Sequence, residues 1–202
     1  MWSPTVLILA ILLLPMPLIS QERSVTDTVM VRLRDVVPSL LFDVRYATPS
    51  NFANRVLYPN DTLWARAATA NALKVADSVA RAHGLRIKVF DAYRPLSVQR
   101  VMWSIVPDER YVANPAKGSR HNRGAALDVT LCDSTGVDLD MGTAYDDFTE
   151  HAHADYPHLP EAVLANRRLL RAIMDRAGFD VLPTEWWHFD LRGWERFGIL
   201  NE

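Results

Sequence analysis

Two segments of the chain concentrate histidines beside acids: Ser119-Arg120-His121-Asn122-Arg123-Gly124-Ala125-Ala126-Leu127-Asp128, and Glu185-Trp186-Trp187-His188-Phe189-Asp190. A catalytic zinc takes three protein ligands and keeps one position open for water, a count met by two imidazoles and one carboxylate. His121, Asp128 and His188 supply that set. Gly124 permits the sharp bend needed to turn His121 and Asp128 toward one point. Glu185 lies three residues before His188, an odd separation that on a flat strand would put the two side chains on opposite faces. Glu185 is therefore expected in the turn before the strand, where it could reach a metal-bound water as general base without being a ligand. The bland alternative keeps both histidines as hydrogen-bonded residues, but Asp128 inside the apolar run 125–131 then lacks a reason, since an unpartnered buried carboxylate is costly.

Asp91-Ala92-Tyr93-Arg94-Pro95 is the third segment of interest. Pro95 forces Arg94 into an extended conformation at a strand end. Its guanidinium then either stabilises an oxyanion or substrate carboxylate, or makes a structural salt bridge at a helix start, with Asp91 capping the helix or orienting Arg94. His151, His153 and Asp155, with His158 close by, offer a second metal spacing, but a polar loop preorganises ligands poorly and the reading there is no metal. His83 reads as a helix C-terminal residue interacting with the dipole. Asn60-Asp61-Thr62 is a weak glycosylation sequon.

These groups need a scaffold. The chain has 202 residues, 49% of them apolar, which suits one domain with its own core. Lys and Arg number 22 against 24 Asp and Glu, a formal charge of −2 that offers no general attraction for nucleic acid. A single cysteine, Cys132, excludes an intramolecular disulfide and a thiolate zinc cluster, so any metal falls to His and carboxylate.

Residues 1–20 contain no charged side chain and an aliphatic run at 6–14, broken by Pro15 and Pro17. That is short for a membrane span and is expected to be a signal peptide or N-terminal anchor, which places the remaining domain, 21–202, outside the cytoplasm in the periplasm or cell envelope without a membrane span of its own.

Val29, Val31 and Leu33 alternate with polar residues as a strand, and 41–46 reads as a second one. Residues 62–83 read as a helix with Ala65, Ala68, Ala72, Val75, Val79 and Ala82 on its buried face, capped by Asp61 and stopped by Gly84. A strand at 85–91, a helix from Pro95 to about Ile105 and a strand at 125–131 follow. After the long polar connection 133–160 comes a helix from Glu161 with Ala162, Ala165, Leu169 and Ile173 inward, then a last strand at 186–191. Without regular βαβ alternation, the expected class is α+β, a mainly antiparallel sheet packed with helices in one compact domain.

Taken together, DVRYATPSNF from Asp43, DAYRP from Asp91, SRHNRGAALDVTL from Ser119, DMGTAYDDF from Asp140 and EWWHFD from Glu185 resemble the zinc D-alanyl-D-alanine dipeptidases of the vancomycin-resistance type. The resemblance implies a fold shared with D-Ala-D-Ala carboxypeptidases and the hedgehog signalling domain. It implies one zinc ion per chain on His121, Asp128 and His188, Glu185 as catalytic base, Arg94 stabilising the transition state, and a small D,D-dipeptide as substrate in peptidoglycan metabolism. The carboxypeptidase relatives commonly carry proline where this chain has Trp186, which favours the dipeptidase branch. The alternatives are a D,D-carboxypeptidase acting on peptidoglycan stem peptides and a zinc-binding module without turnover.

Overall fold

The computed structural model describes residues 25–200, so the expected signal peptide or anchor lies outside the described residues. A 3-10 turn, Val25–Thr28, leads into β1 (Met30–Arg32), the short α1 (Leu33–Val36) and β2 (Leu41–Phe42). Next come a turn at Arg45–Ala47, β3 (Trp64–Arg66), α2 (Ala67–Ala82), β4 (Arg86–Asp91) and α3 (Leu96–Ile105). The turn His121–Arg123 precedes β5 (Ala126–Cys132). The long connection, containing only the turn Glu150–Ala152, joins it to α4 (Glu161–Arg176), β6 (Phe179–Val181) and β7 (His188–Leu191), followed by a turn at Trp194–Arg196.

β1 pairs with β3 as a two-stranded antiparallel ribbon. The main sheet runs β2-β4-β5-β7-β6, and only its β2–β4 pair is parallel. This is the expected α+β architecture with a mainly antiparallel sheet. β5 lies at the centre and all seven of its residues are buried, which explains why its sequence is an apolar run instead of an alternation. α2 packs against β4 and α4, and α4 against β6. Among the described residues no helix is long and apolar enough to cross a membrane.

Both long helices depart from the sequence reading by one residue of phase at most positions, although Ile173 in α4 is inward as expected. α2 buries Thr69, Ala70, Leu73, Ala76, Asp77 and Ala80, while Val75 is 48% exposed. Burying a Leu is worth about 1.5–3 kcal/mol against roughly 0.8 for one methyl group, so Leu73 sets the rotation and the alanines follow. Residues 64–66, expected in the helix, form β3, and the N-cap is Arg66, not Asp61. α4 buries Val163, Arg167, Leu170, Ile173 and Met174. An apolar stripe drawn without arginine misses Arg167 and lands one position away. Other differences are shorter elements: Leu33 opens α1, residues 43–46 leave the sheet, β7 starts at His188, and the three-residue β6 was not expected.

Candidate active site

Strand register builds the centre of the site. Asp91 at the end of β4 faces Asp128 on β5, and Asp128 faces His188 on β7, which places three polar side chains in one row across the sheet. His121 joins them from the turn just before β5. That turn closes at Gly124 with φ 69°, and a Cβ there would sit 3.0 Å from Met30 Sδ and 3.1 Å from the Arg66 backbone nitrogen. The bend that the sequence required is present.

The outer hydrogen bonds fix which atoms face inward. His121 Nδ1 lies 2.6 Å from the Ala92 carbonyl and donates to it, so Nε2 presents its lone pair. His188 Nε2 lies 2.9 Å from Asp190 Oδ1, which leaves Nδ1 facing the site. Tyr145 donates to Asp128 Oδ2 at 2.9 Å, and the buried Asp128 Oδ1 has no hydrogen-bond partner. The inward atoms are 3.1 Å apart between the imidazoles, and 3.3 and 3.1 Å from Asp128 Oδ1 to His121 Nε2 and His188 Nδ1.

With the imidazoles neutral, these are three acceptors converging without a donor, an arrangement that repels itself unless a cation sits among them. Ligand atoms about 2.0–2.1 Å from a tetrahedral zinc are roughly 3.3 Å from one another, so the three donors fit. Among the described residues this is the one grouping with metal-ligand geometry. Without the ion, burial alone would depress the His188 pKa, but the carboxylates of Asp190 and Asp128 outweigh it and raise it. Asp128 is held below the usual carboxylate range by the two imidazoles, against its burial.

Glu185 occupies the turn before β7, as expected, with Oε2 3.8 Å from His188 Nδ1. Burial, reinforced by Asp128 and Asp146, pushes its pKa up to about 8 against the pull of His188 and Arg94. Arg94 is buried and held by Asp91: Nε and Nη2 donate to Oδ2 at 3.0 and 2.7 Å, and Nη1 donates to Gln99 Oε1 at 3.1 Å. Both Nη atoms keep a further N–H to offer. Asp91 thus orients Arg94 and does not cap α3, whose N-cap is Pro95. The salt bridge holds Arg94 at the cavity, so the two readings of this arginine are compatible.

His121, Asp128, His188, Glu185 and Arg94 all line one cavity of about 280 Å³. Asp146 and Tyr46 line it too and were not singled out from the sequence. Asp146 Oδ1 accepts from Tyr46 at 3.0 Å, while its buried Oδ2 has no partner. Burial and Asp128 push its pKa up to about 7. Trp187 lines the cavity, whereas Trp186 lines a separate hollow against α4, the two indoles meeting edge to face at 86°. In the loop cluster, His151 packs on Tyr156 and Asp155 pairs with Arg171 at 2.6 Å. His83 is the C-cap residue of α2, and Asn60 stands exposed in a turn.

The family model described as D-ala-D-ala dipeptidase matches residues 26–196. The chain belongs to the D-Ala-D-Ala dipeptidase family of peptidases. Among its relatives, the D-alanyl-D-alanine dipeptidase of Escherichia coli K12 is 38% identical over 164 residues, covering 81% of this chain and 85% of that protein. The D-alanyl-D-alanine dipeptidase of Enterococcus faecalis V583 is 31% identical over 180 residues, with 79% and 89% covered. A solved VanYB structure, in complex with D-Alanine-D-Alanine, is 19% identical with a TM-score of 0.44 over 66% of this chain and 74% of that one. In this dipeptidase-family chain, then, one cavity brings together His121, Asp128 and His188, which have the geometry to hold a metal, with Glu185 and Arg94.

Proposed function

We propose that the chain hydrolyses D-alanyl-D-alanine to two D-alanines, with one zinc ion per chain held by His121, Asp128 and His188. A bound zinc supplies a Lewis acid and a water that is nucleophilic near neutral pH, and its charge favours the ionised form of Glu185. Glu185 accepts the proton of the attacking water and delivers it to the leaving amine nitrogen. Arg94 offers its free N–H groups to the scissile carbonyl oxygen as that atom gains charge. Asp146, with an unpartnered carboxylate oxygen at the same cavity, serves as counter-charge for the substrate ammonium.

The observation that carries this reading is the convergence of the three donors, Glu185, Arg94 and Asp146 on a single cavity of about 280 Å³, at the lower end of the roughly 300–1,000 Å³ of ordinary ligand pockets. A carboxylate for a free ammonium and a small volume both favour a dipeptide over an acylated stem peptide. The test compares turnover of D-Ala-D-Ala with that of an N-acylated pentapeptide, each before and after chelation. Chelator-sensitive hydrolysis of the dipeptide is expected; preference for the acylated peptide would make the enzyme a carboxypeptidase, and no turnover of either would leave a binding module.

The uncharged, aliphatic 1–20 segment supports export to the periplasm or cell envelope. Fractionation with N-terminal sequencing of the mature protein tests that placement.

A further inference from the structure

We propose that Arg167, on α4, is a positioning residue for recognition of the substrate amine, because its guanidinium ties down both ends of the segment that presents Asp146 to the cavity. Arg167 is 5% exposed. Its Nε donates to the Met141 carbonyl at 2.8 Å, Nη1 to the His153 carbonyl at 2.9 Å and Nη2 to the His151 carbonyl at 2.9 Å. All three acceptors belong to residues 141–153. Packing alone would put an apolar side chain at this inward position of α4, since burying a guanidinium is costly. What the arginine adds is a fork whose fixed geometry reaches both ends of one loop at once.

Between the tied ends stand Tyr145, which orients Asp128, and Asp146, whose φ of 62° lies in the left-handed region that aspartate enters more readily than most residues with a side chain. The only hydrogen bond to the Asp146 carboxylate among the described residues comes from Tyr46, 100 positions away. The tie also reaches the catalytic turn. The guanidinium lies 5.9 Å from the ring centroid of Trp186, the residue after Glu185. Trp186 in turn donates from its backbone nitrogen to the Ala152 carbonyl at 3.0 Å and from Nε1 to Thr143 Oγ1 at 2.8 Å. Arg167 thus stands behind the cavity wall, touches no substrate position, and sets where that wall sits.

The proposal rests on the reading of Asp146 as the ammonium partner, and one experiment separates the two. The kcat/KM for D-Ala-D-Ala is divided by that for D-lactyl-D-alanine, in which a hydroxyl replaces the amine and the same amide bond is cleaved. The hydroxyl can still donate to the carboxylate but brings no positive charge, so a site built around an ammonium favours the dipeptide and the wild-type ratio is well above one. Asp146→Asn is expected to collapse the ratio. Arg167→Met is expected to lower it by about 10²-fold, the effect of roughly 1 Å of misplacement, and to add nothing in the Asp146→Asn background. Arg167→Lys, which keeps the charge but cannot reach all three carbonyls, is expected to lower the ratio as well, and it decides the matter should the Met variant not fold. Parallel loss of both activities at constant ratio would show a merely structural arginine and overturn the proposal. An unchanged ratio in Asp146→Asn would instead remove the reading of Asp146, and the proposal with it.

Discussion

Asp190 accepts a hydrogen bond from His188 Nε2 at 2.9 Å, and Arg120 Nε approaches its other oxygen at 3.4 Å. The contact fixes the tautomer and the ring plane of His188, so that Nδ1 points at Asp128 Oδ1. Such carboxylate–histidine contacts behind a metal ligand typically support about 10–100-fold in metal affinity. Asp190→Ala is expected to weaken zinc binding by that factor, measured by competition with a chromogenic chelator, with all three ligands still present. Unchanged affinity would mean the ring is held by packing alone.

Glu185 lies beside the donor cluster but outside it, 3.8 Å from His188. Glu185→Gln should keep wild-type zinc content while kcat falls by about 10²–10⁴-fold, the usual contribution of a positioned base. Metal analysis and steady-state kinetics on one preparation check both halves; loss of zinc in this variant would place Glu185 among the ligands.

Arg94 and Asp91 form a buried pair, with Asp91 fully buried and also accepting from Tyr58 at 2.6 Å. Removing the arginine strands the carboxylate. Arg94→Met should therefore cost on the order of 3–5 kcal/mol of stability in addition to about 10²–10³-fold in kcat. Adding Asp91→Asn should restore part of the stability, seen by denaturant melts, and none of the activity. Recovery of activity in the double variant would deny Arg94 a role in the reaction.

Asp146 titrates near pH 7 in the folded chain, well above an ordinary aspartate, because burial and Asp128 disfavour its charge. Between the unfolded value and about 7 the folded state binds the extra proton, so this residue's contribution to stability falls as pH rises through that window and stays low above it. In the zinc-free protein, Asp146→Asn is expected to raise stability at pH 8 by on the order of 4 kcal/mol, with the gain shrinking toward pH 4. Melts of both proteins across that range decide it; a destabilised variant at pH 8 would show that the ionised carboxylate has a favourable partner.

The five residues read from the sequence meet in space because local chemistry marked each of them. Gly124 announced the turn at His121, Asp128 stood out in a run of apolar residues, and the odd spacing of Glu185 from His188 placed it off the strand. Asp146 and Tyr46 carried no such mark, since their partnership depends on how two irregular segments, far apart in sequence, fold over β4 and β5. The mainly antiparallel sheet was expected from the succession of elements, but the order of its strands was not. The faces of α2 and α4 were misread by one position because alanine-rich and arginine-containing stripes have little contrast: Leu73 sets the phase of one, and Arg167 hides that of the other.

The account stands on His121, Asp128 and His188 sharing one zinc ion, and the most direct measurement is the metal content of purified protein beside that of Asp128→Ala. One zinc per wild-type chain and little in the variant, with D-Ala-D-Ala hydrolysis lost in step, is the predicted result. A full complement of zinc in Asp128→Ala, or full hydrolysis by wild-type protein stripped of metal, would contradict it.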